Sequence, residues 1–475
     1  MRGWHLAALL ALLPLAGSNG TTTSHATFAP QQTKKPDPQV IAQFGLLDNA
    51  ALQRFIQQKG QQMAAVSNRA DYGYNFTIVD SPIINAFAAP DGNVYFTRGI
   101  MAHFNNEAQF AGVLGHEIGH ITARHGQKQQ TRSTLASGAL ILGSILSKRV
   151  AQIAQPLSQG VGLLFLKYGR DDERESDRLG VTYSTKIGYD ASQMADFFVT
   201  LQREQEKSNA AGIPDFLSSH PNSADRYQTV KQLAAQAKQN AGGRQLTVGR
   251  DSYLRMLDGL EYGEDPRQGF VEGNVFYHPQ LKFRFPVPSG WKTQNSPQQF
   301  QMAEPNGRAV QVLTLASGTS LDAAAQSLAQ QLKLQSAQAS RTTVNSFPAI
   351  VVQGNQVGQD QSGQQGITAS TLSYLIQDGQ TIYALIGLCA PQSLGTYGST
   401  FQQVAQGFQR LTEASKLSRQ PERVRIRTAK TAQTLAAALS ANGIPAKRHE
   451  ELAILNGMRT TDRLSAGQLY KVVGK

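Results

Sequence analysis

The chain has 475 residues, a net charge of +12 and a single cysteine, Cys389. This length is too great for one hydrophobic core and indicates about three domains, and a lone cysteine excludes an intramolecular disulfide. The positive charge is spread along the chain without a dense basic block or interleaved aromatic residues, which argues against a nucleic-acid partner. Anionic lipid headgroups, cell-wall polymer or an ordinary soluble surface are each compatible with it.

The first twenty residues have the pattern of a secretory signal peptide. A short basic segment, residues 1–5, precedes ten apolar residues at 6–15, and small residues follow. The apolar run is too short to span a bilayer. Ser18 stands where a lipoprotein signal carries cysteine. We therefore expect a protein that is secreted across the inner membrane into the periplasm and has no lipid anchor.

A short β-run at residues 94–97 follows a Pro-Asp-Gly turn. An edge strand of this kind can pair with an extended peptide through backbone hydrogen bonds. We therefore predict that Val94, Tyr95 and Phe96 bind substrate and that Asn85 anchors the substrate main chain.

The segment 116–120 reads His-Glu-Ile-Gly-His and lies in a proline-free stretch, 107–124, with apolar residues at helical spacing. On a helix, His116 and His120 lie on one face, so both imidazoles can reach one tetrahedral metal ion. Glu117 then stands beside the open position of that ion, where a general base is needed. The segment predicts a hydrolytic zinc site.

A catalytic zinc usually takes a third protein ligand. A metzincin pattern needs histidine at position 126, where the chain has Gly126, and His125 is one residue out of register. Glu173 and Asp177 are four residues apart, so one carboxylate can bind the metal while the other accepts a hydrogen bond from a ligand histidine. Glu175 is the main rival to Glu173.

Two apolar stretches lie between these motifs, at residues 135–146 and 161–166. Neither reaches the roughly 18 to 20 residues that a transmembrane helix requires. We interpret residues 131–170 as a mobile helical hairpin or plug near the cleft, and we predict no transmembrane span.

Four pieces of the chain, in this order and spacing, resemble one peptidase family. They are residues 85–99, the HExxH segment, residues 173–178, and His220-Pro221 with Arg226. The chain from about residue 85 to 226 resembles the gluzincin zinc metallopeptidases, which include HtpX, BepA, LoiP and the CAAX prenyl proteases.

The resemblance implies that His116, His120 and Glu173 bind one zinc ion per chain and that Glu117 is the general base. It also implies that Asp177 supports a ligand from outside the metal's coordination shell.

The resemblance further implies that His220 and Arg226 lie close to the catalytic site, and we include both among the catalytic residues. His220 can donate a hydrogen bond to the oxyanion, or it can close the metal site as a fourth, inhibitory ligand. The sequence does not choose between these roles.

Period-two patterns begin near residue 276, with a hairpin predicted around Asp378-Gly379 and helical patterns between the strands. Residues 270–413 therefore predict an α+β accessory domain, and their opening resembles PsbP-like domains. No catalytic constellation is visible in them.

Residues 422–475 resemble a lysin motif (LysM), a small βααβ module that binds N-acetylglucosamine polymers. They depart from it at Ala432-Gln433, where the motif usually has Gly-Asp. Since a linker-like stretch at 412–421 precedes this unit, we expect it to be separable from the zinc domain, with peptidoglycan as a candidate partner.

We therefore predict a multidomain α+β protein: a mainly helical gluzincin peptidase domain with a small edge sheet, a PsbP-like α+β domain and a βααβ LysM-like module. The predicted units are a signal peptide at 1–20, the zinc metallopeptidase domain at 30–250, the accessory domain at 270–413 and the module at 422–475. The predicted function is that of a secreted zinc metalloendopeptidase acting on unfolded or misassembled envelope proteins. The alternatives are a cell-wall-tethered chaperone or binding protein and an endopeptidase for peptidoglycan cross-links.

Overall fold

The computed structural model describes residues 34–128, 168–207, 216–220, 225–359 and 365–475. The predicted signal peptide lies outside these residues, and so does nearly all of the predicted helical hairpin at 131–170. Over the described ranges, helices and strands are mixed in several units, as predicted. None of the described helices is long and apolar enough to cross a membrane.

The first part of the chain is mainly helical and carries a small sheet. Its strands are β1 (Asn75–Val79), β2 (Ala86–Ala88) and β3 (Asn93–Thr97). Its helices are α1 (Pro38–Phe44), α2 (Ala50–Ala65), α3 (Arg98–His103), α4 (Glu107–Thr122), α5 (Arg170–Lys186), α6 (Ser192–Lys207), α7 (Phe216–Ser219), α8 (Arg226–Asn240) and α9 (Arg250–Met256).

Strand β3 is the middle strand of this sheet. It pairs in parallel with β1 on one side and antiparallel with β2 on the other. The prediction that residues 94–97 form an edge strand is therefore wrong. Strand β3 lies in the middle because β1, which comes earlier in the chain, pairs with one of its edges and β2 pairs with the other. Strand β2 is therefore an outer strand of this sheet.

Helix α4 is the buried centre of this unit. The side chain of Asn106 caps its first turn by accepting a hydrogen bond from the Gln109 amide. Almost all of its residues are buried, so it packs on several sides at once.

Glycines let α4 and α5 approach closely. A Cβ added to Gly115 would lie 2.9 Å from the Gly180 Cα atom, and a Cβ added to Gly180 would lie 3.0 Å from the Gly112 carbonyl oxygen. Any larger residue at these positions would separate the two helices. The close approach brings the acidic start of α5 to the histidines of α4.

The middle part of the chain is built on antiparallel strands. A short strand, β4 (Glu261–Tyr262), precedes it, followed by a 3₁₀ turn at Pro266–Gln268. The strands are β5 (Phe270–Glu272), β6 (Val275–His278), β7 (Phe283–Pro286), β8 (Lys292–Asn295), β9 (Gln299–Ala303), β10 (Ala309–Leu315), β11 (Leu334–Val344), β12 (Phe347–Gln359), β13 (Gln365–Asp378), β14 (Thr381–Cys389) and β15 (Gln409–Arg410). The helices are α10 (Leu321–Gln331) and α11 (Leu394–Gln406), with a 3₁₀ turn at Pro391–Ser393 between β14 and α11.

Seven of these strands form one sheet in the order β11-β12-β13-β14-β10-β9-β8, and β15, β7, β6 and β5 form a second. Helix α10 packs with one apolar cluster of the large sheet, and α11 contributes to another that includes β7. The predicted hairpin around Asp378-Gly379 is confirmed, since β13 and β14 pair antiparallel across it.

The last part of the chain has βααβ order. A short helix, α12 (Ala414–Leu417), leads into it. Its elements are β16 (Glu422–Thr428), β17 (Gln433–Thr434), α13 (Leu435–Ala441), a 3₁₀ turn at Ala446–Arg448, α14 (His449–Leu455), β18 (Arg463–Leu464) and β19 (Leu469–Gly474). Strands β16 and β19 pair antiparallel, and β16 also pairs with β4.

The apolar side chains of this last part do not form a core of their own. Val424, Leu439, Leu455 and Val473 belong to the same buried cluster as residues of α2, α4 and α6. This continuity argues against the separability that the composition of the linker predicts.

Candidate metal centre and active site

Four buried side chains from three segments converge beside α4. Among the described residues they form the one group of at least three His, Cys, Asp or Glu side chains whose ligand atoms all lie within 4.8 Å of one another. The group consists of His116, His120, Glu173 and His220.

The spacing of these atoms fits a tetrahedral ion. The Nε2 atoms of His116 and His120 are 3.0 Å apart, and Glu173 Oε1 lies 3.5 Å from His120 Nε2. His220 Nδ1 lies 3.2 Å from His116 Nε2 and 3.0 Å from Glu173 Oε1. Two nitrogen ligands at about 2.0 Å from a tetrahedral zinc are separated by about 3.3 Å. These donors are three imidazoles and one carboxylate. They therefore fit zinc in both type and spacing.

Glu117 lies next to the group and is fully buried. Neither of its carboxylate oxygens has a hydrogen-bond partner among the described residues, and Oε1 lies 3.6 Å from His220 Nε2. Burial raises the pKa of Glu117, and the neighbouring histidines His220 and His116 oppose that rise. A buried carboxylate with both oxygens open is suited to accept a proton.

Asp177 and Arg226 lie behind the donor group and hold it in place. Asp177 Oδ1 is 2.9 Å from His116 Nδ1, and Arg226 donates to both oxygens of Asp177 at 2.7 and 2.8 Å. Arg226 Nη1 also lies 3.0 Å from Glu173 Oε2. Burial alone raises the pKa of Asp177, but Arg226 and the hydrogen bonds from His116 and Arg226 outweigh burial, so the pKa lies below its ordinary value.

These contacts favour a positioning role for Arg226 over a direct part in the reaction. Its guanidinium contacts Asp177, Glu173 and the face of the Phe198 ring, so it orients the donors. We assign it as a positioning residue.

The segment that carries His220 covers the donor group. The Phe216 amide donates to the Ile84 carbonyl at 2.9 Å, directly before the outer strand β2. The Phe216 ring stacks on His220 with ring centroids 4.4 Å apart. Helix α7 therefore joins the segment just before β2 to His220, a member of the donor group.

Sequence reasoning missed Tyr168. Its ring stacks on His120 with centroids 3.9 Å apart, and its amide donates to the Ser219 carbonyl at 3.1 Å. It also lines a small surface depression beside His120, together with Ala88 and Pro90. No periodicity or motif marks this tyrosine, which lies two residues before α5.

The predicted substrate-binding residues divide into two groups. Val94, Tyr95 and Phe96 are fully buried in the middle strand, so their backbones are already paired on both sides and cannot pair with a peptide. Asn85 immediately precedes the outer strand β2. It is 1% exposed, and neither atom of its side-chain amide has a partner among the described residues.

Comparison with known proteins identifies the unit that carries this site. Residues 50–234 match the model of peptidase family M48. A putative beta-barrel assembly-enhancing protease of Vibrio cholerae is 31% identical over 199 residues, which are 40% of this chain and 41% of that protein. The mitochondrial metalloendopeptidase OMA1 of Arabidopsis thaliana is 27% identical over 208 residues, 43% of this chain and 41% of that protein.

A solved structure also matches part of this chain. Cyanobacterial PsbP from Synechocystis sp. PCC 6803 covers 30% of this chain and 98% of its own, at 14% identity and a TM-score of 0.24.

The chain spans about two fifths of the length of the curated relatives it matches. The matched region contains the HExxH helix, the acidic helix α5 and His220, which are the parts that form the donor group. Residues 50–234 are therefore similar to peptidase family M48, and the relatives that share them include proteins named as proteases and metalloendopeptidases.

Proposed function

We propose that this protein is a secreted, zinc-dependent metalloendopeptidase that hydrolyses peptide bonds in unfolded or misassembled proteins of the cell envelope. The observation that carries the proposal is the buried group of four donors with the open carboxylate of Glu117 beside it. A protein that only binds clients does not need a general base, so Glu117 favours an enzyme over a chaperone.

In this proposal His116, His120 and Glu173 hold one zinc ion. When bound, zinc supplies Lewis acidity, which polarises a carbonyl group and makes water more acidic. Glu117 takes the proton of the attacking water and passes it to the leaving amine. Asp177 and Arg226 keep His116 and Glu173 oriented throughout.

His220 closes the site in the resting protein. Its Nδ1 atom lies at donor spacing from Glu173 and His116, which makes it the fourth donor of the group. Catalytic zinc sites keep one position open, so a fourth protein donor must withdraw before the site can work. This spacing favours the inhibitory role of His220 over the role of oxyanion donor.

The proposed substrate site lies at strand β2, next to segment 216–220. An extended peptide pairs with the outer strand β2, and the Asn85 amide binds the peptide main chain. Because the Phe216 amide already occupies the Ile84 carbonyl next to β2, segment 216–220 has to move when a peptide binds. A substrate with a flexible, unfolded chain can enter such a site.

The substrate class rests on the relatives. Several are named beta-barrel assembly-enhancing protease, which supports a role in the quality control of envelope proteins. We further propose a periplasmic location, and we keep peptidoglycan as a candidate partner of residues 422–475.

The test uses purified full-length protein and its Glu117→Gln variant, each incubated with unfolded casein and with peptidoglycan. We expect the wild type to cut casein, the variant to be inactive, and a chelator to abolish cleavage by the wild type. Cleavage of peptidoglycan cross-links with intact casein would instead identify a cell-wall endopeptidase. Casein that is bound but uncut by the wild type would identify a binding protein.

A further inference from the structure

Two residues outside the donor group, His125 and Glu175, are paired with each other beside it. His125 Nε2 lies 3.2 Å from Glu175 Oε2 and 3.5 Å from Asp172 Oδ1. On its other side, His125 Nδ1 lies 3.0 Å from His120 Nδ1. His125 is 1% exposed, whereas 45% of the Glu175 side chain is exposed. A chain of contacts therefore runs from a donor of the metal group to the protein surface.

The two facing Nδ1 atoms settle which ring donates. His120 directs its Nε2 atom into the donor group, so the proton of its neutral ring is on Nδ1. His125 Nδ1 must then accept that hydrogen bond, since two N–H groups cannot face each other at 3.0 Å. The proton of His125 is consequently on Nε2, from which it is donated to Glu175.

The local backbone and a serine hold His125 in this position. Helix α4 ends at Thr122, and Arg124 follows two residues later with φ +60°, a left-handed conformation that is uncommon for a residue with a side chain. This turn brings His125 back towards the face of α4 that carries His120. Ser176 Oγ lies 3.3 Å from His125 Nδ1, so its side chain packs beside the ring and limits its movement.

The two histidines of the HExxH segment are thus supported differently. His116 meets the carboxylate of Asp177 directly, at 2.9 Å. His120 meets an imidazole, and the carboxylates of Glu175 and Asp172 lie one step further out. Partners of this kind set the tautomer and ring orientation of a metal ligand, and losing one typically costs about 10- to 100-fold in metal affinity.

We propose that His125 is a positioning residue for His120, which it holds in the Nδ1-protonated form with its ring aimed at the metal, while Glu175 orients His125. The proposal rests on the proposed role of His120 as a zinc ligand. It accounts for a histidine that does not fit the metzincin pattern and for a carboxylate outside the donor group.

The experiment measures zinc affinity of the full chain by competition with a chromophoric chelator, and the visible absorption spectrum of the cobalt-substituted protein. His125→Asn keeps an acceptor near the position of Nδ1, whereas His125→Gln places its amide near Nε2, out of reach of His120. We expect His125→Gln to weaken zinc binding by about 10- to 100-fold and to change the cobalt spectrum, and His125→Asn to stay within about 3-fold of wild type.

Two further variants separate this role from general packing. His103→Leu removes another buried histidine, one whose Nδ1 contacts the Gly99 carbonyl, and we expect its zinc affinity to be unchanged. Glu175→Gln keeps the size of a half-exposed side chain, so its fold is not at risk, and we expect a weakening of a few-fold.

Two outcomes distinguish the positioning role of His125 from the proposed function of the protein. Equal zinc affinity and equal cobalt spectra for His125→Asn and His125→Gln, at wild-type levels, would overturn the positioning role while leaving the proposed function intact. A wild-type protein that binds no zinc would instead refute the proposed function itself.

Discussion

Two buried contacts of this protein are built from different interactions. One joins helices α4 and α5, and the other joins residues 422–475 to the core that contains α4. Between α4 and α5 the contact is polar near the metal group, where Asp177, His116 and Glu173 each depend on an oppositely charged or hydrogen-bonding neighbour. The C-terminal contact is mainly apolar and continues the core of the peptidase domain.

The C-terminal contact contains one exception, the fully buried Lys471. Its ammonium group donates to the carbonyls of Ala102 and Phe104 at 2.8 and 3.0 Å, at the end of α3. Burial lowers the pKa of Lys471 well below its ordinary value, and Arg250 adds to this effect. The comparison shows that substitutions between α4 and α5 should change the chemistry, whereas substitutions at the C-terminal contact should change the stability.

The largest expected effect is that of removing residues 422–475. Each large apolar side chain taken out of a core costs about 1.5–3 kcal/mol, and several are shared here. We expect the free energy of unfolding of the remaining peptidase unit to fall by at least about 5 kcal/mol. This loss lowers its melting temperature by about 10–20 °C. Differential scanning calorimetry measures this, with Arg427→Ala on the exposed part of β16 as the control. An unchanged melting temperature would restore the separable module that the sequence predicts.

The identity of the third ligand is the next test. Glu173 lies within the donor group, whereas Glu175 contacts His125 outside it. We expect Glu173→Ala to lose most of its zinc and Glu175→Ala to retain about one zinc per chain, as measured by elemental analysis of dialysed protein. Full occupancy of Glu173→Ala together with an empty Glu175→Ala would transfer the ligand role to Glu175.

Substitution of the proposed general base, Glu117, separates catalysis from zinc binding. Glu117→Gln should retain zinc and its melting temperature but lose about 100- to 10,000-fold in casein hydrolysis, because an amide cannot accept the proton of water. Glu206→Gln, on the exposed end of α6, is the matched control and should keep full activity. Comparable casein hydrolysis by Glu117→Gln and wild type would contradict the mechanism.

His220 distinguishes the two roles that the sequence left open. Because we propose that His220 closes the resting site, we expect His220→Ala to raise casein hydrolysis several-fold, since the position of the fourth donor becomes available. A loss of about 100-fold or more in turnover would instead show that His220 donates to the oxyanion. Steady-state rates at saturating zinc decide between the two outcomes.

The smallest effect concerns pH and the C-terminal contact. The pKa of Lys471 is lowered in the folded state, so folding disfavours its proton and stability rises with pH up to the unfolded pKa, about 10.4. As pH falls below that value this contribution is lost. We expect Lys471→Met to show a weaker rise of melting temperature between neutral and alkaline pH than wild type, with Lys430→Met as an exposed control. Parallel curves for wild type and Lys471→Met would mean that Lys471 keeps an ordinary pKa.

Much of the site and part of the fold follow from the sequence where spacing is local. Residues four apart on a helix share a face, so the amino-acid order alone pairs His116 with His120 and Glu173 with Asp177. The hairpin at Asp378-Gly379 followed from its turn residues. In each case a few neighbouring residues determine the geometry.

Tertiary structure alone decided the features that join distant segments. Strand β3 is a middle strand because β1, from earlier in the chain, pairs with it. Residues 422–475 share a core with α4, and the composition of the linker before them could not reveal this. The pairing of His125 with His120 depends on a left-handed residue and on a helix more than forty positions away. The physical reason is that helix and turn geometry act over a few residues, whereas strand order, shared cores and hydrogen bonds between distant segments depend on how the whole chain packs.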